Sequence, residues 1–430
     1  MNNGSLLDEL EWRGLVHQHT DGVREALAIG PVSAYIGFDP TGTSLHVGSL
    51  VVIMILVHLQ RFGHRPIALV GGGTGMIGDP SGKVNERQLL TAEIVAENTN
   101  AIRQQLERFL SFEGPAAARM RDNAEWLNSL SLIEFLRDTG KHFTVNYMLQ
   151  KESVRSRMDA GISFTEFGYM LLQAYDYLEL YRRDAVTLQL GGSEQWGNIV
   201  AGLELIRRTT GGEAHALTVP LLMTSSGTKF GKTEAGAVWL DAARTSPYAF
   251  YQFWLGTEDR DVGRYLRFFT LLSREEIESL DGATVSSPEK REGQLALARD
   301  VTRRVHGDVA LNAAEQVSGL FFGAVDPREL SDEALAILRA EAPFAEVASG
   351  EVSSETDATR FDVLKLLTAS GLAASNGAAK RLLEQGAVSV NKRKVAAADR
   401  YVVAEDSLLS GRHVLVGKGK RDYAVLRVRE

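Results

Sequence analysis

Residues 32–61 read VSAYIGFDPTGTSLHVGSLVVIMILVHLQR, and this stretch determines the fold class. Its first part, residues 32–38, is rich in β-branched and aromatic side chains, as buried strands are. Its last part, from residue 50 onward, is an apolar run that is typical of a buried helix. Asp, Pro, Gly, Thr and Ser residues lie between the two, where a turn belongs. The stretch therefore predicts one strand–turn–helix unit of a parallel α/β sheet.

The same pattern recurs along the first half of the chain. Ile67–Val70 is a predicted strand followed by Gly71–Gly75, and Ala185–Leu190 is another, followed by Gly191, Gly192 and a helix over about 194–208. Helical patterns cover 91–110 and 132–151. These elements predict an α/β fold with a doubly wound parallel sheet. In such sheets ligands bind beside the carboxyl ends of the strands, where helix N-termini attract anions, so we expect a nucleotide or phosphate site.

The second half reads differently. Helical patterning runs from Pro247 to about Phe322 and is interrupted at Pro288. Residues 326–359 are rich in Ala, Glu and Ser, which predicts a linker or a weakly packed segment. The last part predicts a helix over 362–370, a helix over 378–385 and a strand over 388–391. We therefore expect a helical region, a linker and a small α+β domain.

Composition excludes several kinds of chemistry. The 430 residues contain no cysteine, which rules out disulfides, thiolate metal sites and cysteine nucleophiles. The first residues lack the pattern of a secretory signal, and the longest apolar run, Leu50–Leu59, is too short to span a bilayer. These features predict a soluble, cytoplasmic protein with no membrane partner.

The net charge of −8 is an average over two unlike parts. Residues 360–430 contain 14 Lys and Arg against 7 Asp and Glu, a net of +7, so the preceding residues carry −15. Such asymmetry favours a polyanion-binding appendage on an acidic body. A solvated basic face without a partner is the alternative reading.

Two familiar phosphate-binding motifs are matched only superficially. Gly73–Gly78 fits G-x-G-x-x-G after a strand, but Asp79-Pro-Ser-Gly82 follows where a dinucleotide-binding helix must run. Residues 227–233, GTKFGKT, have one residue too few between the glycines for a Walker A loop. What remains is a Gly-punctuated loop in which Lys229 and Lys232 can reach phosphates.

The turn after the first strand offers donors for phosphate oxygens. Thr41 and His46 lie in it, and His46 precedes a predicted helix whose dipole favours an anion. A turn followed by a capping histidine is the structural alternative.

At this point the sequence resembles bacterial tyrosyl-tRNA synthetases, which are class I aminoacyl-tRNA synthetases. The resemblance covers essentially the whole chain and rests on several motifs in the family's order. These motifs are Tyr35-Ile-Gly-Phe-Asp-Pro-Thr41, His46-Val-Gly48, Val70–Ser81, Gly161–Tyr169, Leu172–Asp176, Gly191–Asn198 and Lys229–Thr233. The stretch Lys380–Asn391 resembles a small RNA-binding fold that is also found in a ribosomal protein.

The resemblance implies roles for the matching residues. It implies that Tyr35 and Asp176 bind the phenolic hydroxyl of tyrosine, and that Asp79, Tyr169 and Gln173 bind its α-ammonium group. It places Gln195 beside the reacting carboxylate. A core tyrosine and a helix-surface acid are the structural alternatives for Tyr35 and Asp176.

The resemblance also implies an ATP site and its catalytic groups. Positions lining the adenylate are Gly37, Asp39, Gly48, Ser49, Gly192 and Glu194. Groups that stabilise charge on the departing pyrophosphate are Thr41, His46, Lys83, Arg87, Lys229 and Lys232. ATP would enter as a substrate with Mg²⁺, and no metal would be ligated by the protein.

Two positions depart from the family pattern. The ATP signature usually reads H-I-G-H or H-I-G-N, and Ser49 stands at its fourth position. The other usually reads G-G-S-D-Q, and Glu194 stands for the aspartate. We hypothesise that these residues alter ATP binding, because serine is shorter and glutamate is one methylene longer. We therefore expect the ATP KM to change in Ser49→His and Glu194→Asp variants, and unchanged values would contradict the hypothesis.

The implied architecture begins with a Rossmann-like catalytic domain over 1–228, which carries a helical dimerisation insertion at about 110–160. The signature loop and an α-helical anticodon-arm domain follow over 229–325. A linker over 326–358 then leads to a ribosomal-protein-like RNA-binding domain over 359–430. Candidate RNA-binding residues are Lys380, Arg381, Lys392, Arg393, Lys394, Lys418, Lys420 and Arg421. The implied partners are tRNA(Tyr), L-tyrosine, ATP and a second copy of the chain, with Phe135–Tyr147 at the dimer surface.

Three functions are consistent with these observations. The first is a tyrosine–tRNA ligase that forms tyrosyl-adenylate and then charges tRNA. The second is a small-molecule nucleotidyltransferase, against which the basic C-terminal region and the Tyr35/Asp176 pair argue. The third is a catalytically impaired paralogue that binds RNA, for which Ser49 and Glu194 are the supporting observations.

Overall fold

The computed structural model describes residues 5–81, 89–155, 157–158, 161–228, 230–233, 236–419 and 422–429, with the backbone alone for Ser153, Lys232 and Thr233. Strands are β1 Gln18–His19, β2 Ser33–Phe38, β3 Arg65–Val70, β4 Arg119–Asp122, β5 Val186–Gly192, β6 His215–Val219, β7 Lys232–Thr233, β8 Gly236–Ala237, β9 Phe344–Ala348, β10 Arg360–Asp362, β11 Val388–Val390, β12 Arg393–Lys394, β13 Tyr401–Val403, β14 His413–Lys418 and β15 Asp422–Arg429.

The α-helices are α1 Leu6–Arg13, α2 Val23–Ile29, α3 Leu50–Arg61, α4 Ala92–Leu106, α5 Ala124–Leu127, α6 Leu132–Glu134, α7 Val145–Leu149, α8 Glu152–Arg155, α9 Phe164–Asp184, α10 Trp196–Thr210, α11 Pro247–Leu255, α12 Asp259–Phe269, α13 Arg274–Ser286, α14 Glu292–Phe322, α15 Asp332–Glu341, α16 Ser349–Val352, α17 Val363–Ala369, α18 Asn376–Glu384 and α19 Ala404–Ser407. Helix α14 is broken at Gly307, whose φ of 84° is not helical. No helix in the part of the chain that the structure describes is long and apolar enough to cross a membrane.

The chain forms two compact units. The first comprises the residues up to Arg244 together with Thr257–Leu297, and the second comprises Thr245–Gly256 and Ala298–Glu430. The first unit is built on a six-stranded sheet in the order β1-β6-β5-β2-β3-β4. Every neighbouring pair in it is parallel except β1 with β6. The predicted doubly wound parallel sheet is therefore confirmed.

Residues 32–61 adopt the predicted strand–turn–helix structure. Strand β2 lies in the middle of the sheet, and helix α3 begins at Leu50 and is buried at nearly every position to Leu59. The predicted third strand begins one residue later than expected, because Ala185 adopts a left-handed φ of 52° and ends helix α9. The motif at 73–78 contains only a short 3₁₀ turn, Thr74–Met76, so the rejection of a dinucleotide-binding helix is confirmed.

The structure differs from the predicted helix over 132–151. Short helical pieces replace it, and each of two begins at a hydroxyl cap, Ser131 for α6 and Thr144 for α7. Because β-branched and glycine residues interrupt the apolar period here, caps and turns replace a continuous helix. Leu132, Ile133, Leu136 and Val145 are left exposed in this segment.

The second unit contains a five-stranded sheet in the order β12-β11-β14-β15-β9 and a two-stranded sheet of β10 and β13. Helices α17 and α18 pack with the five-stranded sheet around a core that includes Leu366, Leu367, Val388 and Val416. The predicted helix–helix–strand pattern of the last segment is therefore present.

The structure also differs from the expected linker or weakly packed segment after residue 326. Helix α15 and strand β9 occupy much of it, and Leu335, Leu338 and Val352 are almost fully buried. Strand β9 pairs with β15 in parallel register from Phe344↔Val425 to Ala348↔Arg429. The Ala- and Glu-rich composition hid these elements, because the few apolar residues fall at core-facing positions. The domain limits given above stay predictions.

Candidate active site

A cavity of about 610 Å³ opens in the first unit beside the carboxyl ends of the parallel strands. Its lining includes fourteen of the predicted tyrosine, ATP and catalytic residues: Tyr35, Gly37, Asp39, Thr41, His46, Gly48, Ser49, Asp79, Tyr169, Gln173, Asp176, Gly192, Glu194 and Gln195. The sheet edge accounts for this convergence, because strands β2, β3 and β5 all end there.

Helix α9 presents three of these side chains to the cavity. Tyr169, Gln173 and Asp176 follow one another at spacings of four and three, which places them on one helical face. The helix begins at Ser163, whose hydroxyl accepts a hydrogen bond from the Glu166 amide. The sequence thus fixes both the start of the helix and the face that carries the polar residues.

Two side chains hold the carboxylate of Asp176. Trp126 Nε1 donates to Oδ1 at 2.7 Å, and Asn123 Nδ2 donates to Oδ2 at 2.9 Å. Burial raises the pKa of Asp176 to about 8, and these two hydrogen bonds oppose the shift. Burial is the larger effect because the carboxylate has lost its hydration. The group therefore titrates near neutral pH.

Tyr35 lies beside this carboxylate with an unpaired hydroxyl. The side chain is 1% exposed, its ring packs edge-on against Tyr177 at 5.3 Å, and its hydroxyl has no hydrogen-bond partner among the described residues. Burial raises its pKa well above the usual range, and the charge of Asp176 adds to the shift. Gln189, its neighbour in register on β5, has an unpaired buried Oε1 within the described part of the chain. Unpaired groups that line a cavity are suited to bind a polar ligand.

A second polar cluster surrounds Asp79. Gln195 Nε2 donates to its Oδ2 at 2.7 Å, and the Ser81 amide donates to its Oδ1 at 2.9 Å. Asn198 donates to Gln173 Oε1 at 3.0 Å and so connects helix α9 to this cluster. A carboxylate among amide oxygens is suited to hold an ammonium group.

Asp39 also lines the cavity and accepts two hydrogen bonds. Tyr169 donates its hydroxyl proton to Oδ2 at 2.7 Å, and Thr74 donates to Oδ1 at 2.8 Å. Burial raises the pKa of Tyr169 well above its usual range, with Asp39 and Asp79 adding to the shift. The Tyr169 hydroxyl therefore stays protonated as a donor.

His46 caps the turn before helix α3, and its ring has a defined tautomer. Nδ1 accepts a hydrogen bond from the Gly48 amide at 3.0 Å, so the proton of the neutral ring lies on Nε2. A Cβ at position 48 would lie 2.7 Å from the ring, which only glycine avoids. In this tautomer Nε2 carries the donor of the ring.

The two departures from the family pattern both lie at the cavity. Ser49 ends the 3₁₀ turn Val47–Ser49 and precedes helix α3. The carboxylate of Glu194 lies over Gly192, where a Cβ would be 2.4 Å from both carboxylate oxygens. The longer side chain therefore folds back over the end of β5.

Several predicted residues are elsewhere. Lys83, Arg87, Lys229, Lys420 and Arg421, and the side chain of Lys232, lie outside the described residues. In the second unit Lys380, Arg381, Arg393 and Lys394 are exposed, and Lys418 is half-buried. Lys392 is also half-buried, with Nζ 3.6 Å from the centre of the Tyr423 ring.

The sequence analysis missed five residues that shape the cavity: Thr74, Asn123, Trp126, Gln189 and Asn198. Asn123 follows strand β4, which has the sequence RMRD and lacks the apolar pattern of a strand. Gln189 is a single polar residue inside an apolar strand, a signal that was available. For Trp126 no local signal exists, because only the fold brings it to Asp176.

A parallel sheet with a polar cavity at the carboxyl ends of its strands is the arrangement that the resemblance to class I tRNA synthetases predicts. A family model described as tRNA synthetases class I (W and Y) matches residues 28–323, and one described as a tyrosine--tRNA ligase SYY-like C-terminal domain matches 342–426. The chain therefore belongs to the class I tRNA synthetases and, within them, to the tyrosine--tRNA ligases.

Relatives over the whole length support this membership. The tyrosine--tRNA ligases of Anaeromyxobacter dehalogenans and Roseiflexus castenholzii are 53% and 49% identical over 425 and 427 residues, with 99% of this chain covered and 100% and 99% of theirs. A solved structure of a C-terminally truncated mitochondrial tyrosyl-tRNA synthetase of Aspergillus nidulans matches with a TM-score of 0.67 at 30% identity, covering 73% of this chain and 92% of that one. This chain is accordingly an enzyme that joins tyrosine to tRNA with ATP as a substrate.

Proposed function

We propose that the cavity of the first unit carries out both steps of tyrosine–tRNA ligation and that the residues found at its wall have the roles predicted from the family. The observation that carries the proposal is the unpaired Tyr35 hydroxyl beside Asp176. This pair suits a phenol. The buried Tyr35 hydroxyl can donate to the phenolic oxygen, and the Asp176 carboxylate can accept a hydrogen bond from the phenolic O–H. Phenylalanine would leave the Tyr35 hydroxyl unpaired and would deprive Asp176 of its phenolic donor, and this family is the established example of such discrimination, about 10⁵-fold.

The other end of the amino acid would meet Asp79, Tyr169 and Gln173. The Asp79 carboxylate supplies the charge opposite the α-ammonium group. Gln195, which donates to Asp79 at 2.7 Å, would stand beside the reacting carboxylate.

Activation requires positioning and charge stabilisation. The tyrosine carboxylate attacks the α-phosphorus of ATP, the bond to the β-phosphate oxygen breaks, and pyrophosphate leaves with growing negative charge. Thr41 and the Nε2–H of His46 would donate to that charge, and Lys83, Arg87, Lys229 and Lys232 are assigned to the same task by family match. No protein nucleophile is needed. A hydroxyl of the terminal tRNA adenosine then attacks the adenylate carbonyl and releases AMP.

Mg²⁺ would accompany ATP. The described residues contain no group of three or more His, Asp or Glu side chains arranged as metal ligands. We propose ATP oxygens and water as its ligands, because Mg²⁺ in nucleotide sites keeps several waters and binds substrate phosphates.

Tyrosine-dependent ATP–pyrophosphate exchange tests the proposal. We expect exchange with tyrosine in the absence of tRNA, followed by tRNA charging that weakens steeply with salt. Intact tRNA binding without tyrosine-dependent exchange would instead support the alternative of an impaired RNA-binding paralogue.

The titration of Asp176 gives a pH prediction. The ionised carboxylate accepts a hydrogen bond from the phenolic O–H of tyrosine. The protonated carboxyl group is itself a donor and therefore competes with that O–H. Because the pKa of Asp176 is about 8, kcat/KM for tyrosine is expected to rise with pH, to reach half its limit near pH 8 and to level off about one pH unit above that. Trp126→Phe removes a donor that lowers this pKa, so the rise should shift to higher pH. A profile that is flat in both proteins would contradict the role of Asp176.

The exposed cations of the second unit are proposed to bind tRNA. Lys380 and Arg381 lie on helix α18, and Arg393 and Lys394 form strand β12. Such contacts neutralise phosphates and make affinity salt-dependent.

We propose that the chain is a homodimer through the segment around Phe135–Tyr147. Ile133, beside this segment, is 70% exposed and belongs to a run of exposed large apolar residues with Leu132, Leu136 and Val145, and such a grouping is typical of an interface. Ile133→Glu is expected to yield a monomer by light scattering. The matched control is Ile29→Glu, because Ile29 is 88% exposed on helix α2. An unchanged mass for Ile133→Glu would refute this interface.

A further inference from the structure

The turn that carries His46 is joined by backbone hydrogen bonds to residues 238–240, which follow the loop of Lys229 and Lys232. The Val47 amide donates to the Val238 carbonyl at 2.9 Å, and the Leu240 amide donates to the Leu45 carbonyl at 2.9 Å. Between these two bonds His46 and Trp239 form an antiparallel bridge. Strands β7 and β8 form a hairpin that ends just before Trp239. The bridge therefore connects the base of this hairpin to the histidine turn.

The two side chains at the bridge are also in contact. The rings of His46 and Trp239 lie 6.2 Å apart at 70°, an edge-to-face arrangement. Both residues line the cavity. The guanidinium carbon of Arg244 lies 3.4 Å from the centre of the Trp239 ring and so holds that ring in turn.

The His46 ring needs such a support to donate in a fixed direction. The Gly48 amide donates to Nδ1, and any tilt of the ring about this hydrogen bond would change the direction of the Nε2–H. The indole of Trp239 limits this tilt. With both contacts in place, the Nε2–H keeps one orientation before substrate arrives, which is the preorganisation that electrostatic catalysis requires.

We propose that Trp239 is a positioning residue that fixes the donor orientation of His46 in the activation step. The inference rests on the role proposed for His46 above. Trp239 acts through the histidine ring, and the bridge places this support at the base of the lysine-bearing hairpin. The contact of Trp239 with His46 thus joins the two segments assigned to the phosphates of ATP, which are the turn of His46 and the hairpin that carries Lys232.

A double-mutant cycle tests this assignment. Trp239→Ala is expected to lower kcat for ATP–pyrophosphate exchange by about 2- to 10-fold, the range that aromatic pair contacts provide. The tyrosine KM should not change. In the His46→Ala background Trp239→Ala should have no further effect, since the ring that it positions is gone. Trp239→Phe should retain most of the rate, because a phenyl ring can keep the edge-to-face contact.

Trp12→Ala is the matched control. Trp12 also lies among arginines in the first unit, with Arg274 4.5 Å from its ring centre, but it does not line the cavity. Exchange should therefore be unchanged. Equal thermal midpoints for Trp239→Ala and Trp239→Phe would exclude general destabilisation as the cause of the lower rate.

The outcomes separate this inference from the proposed function. If His46→Ala itself leaves exchange unchanged, the proposed role of His46 fails. If His46→Ala lowers exchange and Trp239→Ala lowers it by the same factor in both backgrounds, Trp239 acts independently and the positioning role is overturned. An ATP KM effect that survives in the His46→Ala background would likewise overturn it, since it would show direct contact with ATP.

Discussion

Asp176→Asn is expected to lower kcat/KM for tyrosine about 10²- to 10³-fold and to remove most of the preference for tyrosine over phenylalanine. Above pH 8, where Asp176 is ionised, the variant replaces a buried charged acceptor with a neutral amide and leaves the donors of Asn123 and Trp126 facing it. Losing a charged hydrogen bond and stranding buried donors together cost about 3–4 kcal/mol. Activation of phenylalanine should change little, because it has no hydroxyl to lose.

Exchange assays with both amino acids on both proteins measure this effect. Tyr35→Phe is the graded control, since it keeps the ring that packs on Tyr177 and removes only the hydroxyl. Its expected loss is about tenfold, as for a neutral hydrogen bond. An Asp176→Asn protein that still prefers tyrosine by the original factor would show that specificity lies elsewhere.

His46→Ala is expected to lower the maximal rate of pyrophosphate exchange about 10²- to 10³-fold while the tyrosine KM stays the same. The reason is that its Nε2–H would donate only to charge that develops on the leaving pyrophosphate. Removing one preorganised donor of this kind typically has an effect of about that size. The variant also removes the cap on the Gly48 amide.

His46→Asn separates the two consequences. Asparagine is a favoured N-cap residue, so its side-chain oxygen can still accept from the Gly48 amide while its NH₂ group points a donor outward. The exchange rate of His46→Asn should lie between those of the unsubstituted protein and His46→Ala, and its thermal stability should match that of the unsubstituted protein. If His46→Ala and His46→Asn both catalyse pyrophosphate exchange as fast as the unsubstituted protein, His46 has no role in the reaction.

The sheet of the first unit could be predicted from the sequence because its strands are buried and continuous. Residues 33–38 and 65–70 are apolar runs between turn signals, and the polar residues after them lie at one edge by topology alone. For the same reason the residues that the family match assigns to tyrosine and ATP, where they are described, line one cavity. Their roles remain proposals, which the variants above test.

Other features depend on tertiary packing that no local pattern encodes. Strand β4 is charged and pairs on only one side, at the edge of the sheet, so its apolar signal is absent. The contact of Trp126 with Asp176 spans fifty residues of sequence. Helix α15 and strand β9 bury few but well-placed apolar residues, so average composition did not reveal these two elements.

Strand β15 connects distant parts of the second unit. This strand, Asp422–Arg429, lies between β14 and β9 in the five-stranded sheet, antiparallel to β14 and parallel to β9. Strand β9 pairs with a segment far along the chain, and such non-local pairings form slowly because a long loop must close first. Without β15 in register, β9 would be separated from the rest of the sheet and β14 would lose one neighbour. The five-stranded sheet is therefore expected to form in a single cooperative step, in which the docking of β15 completes it.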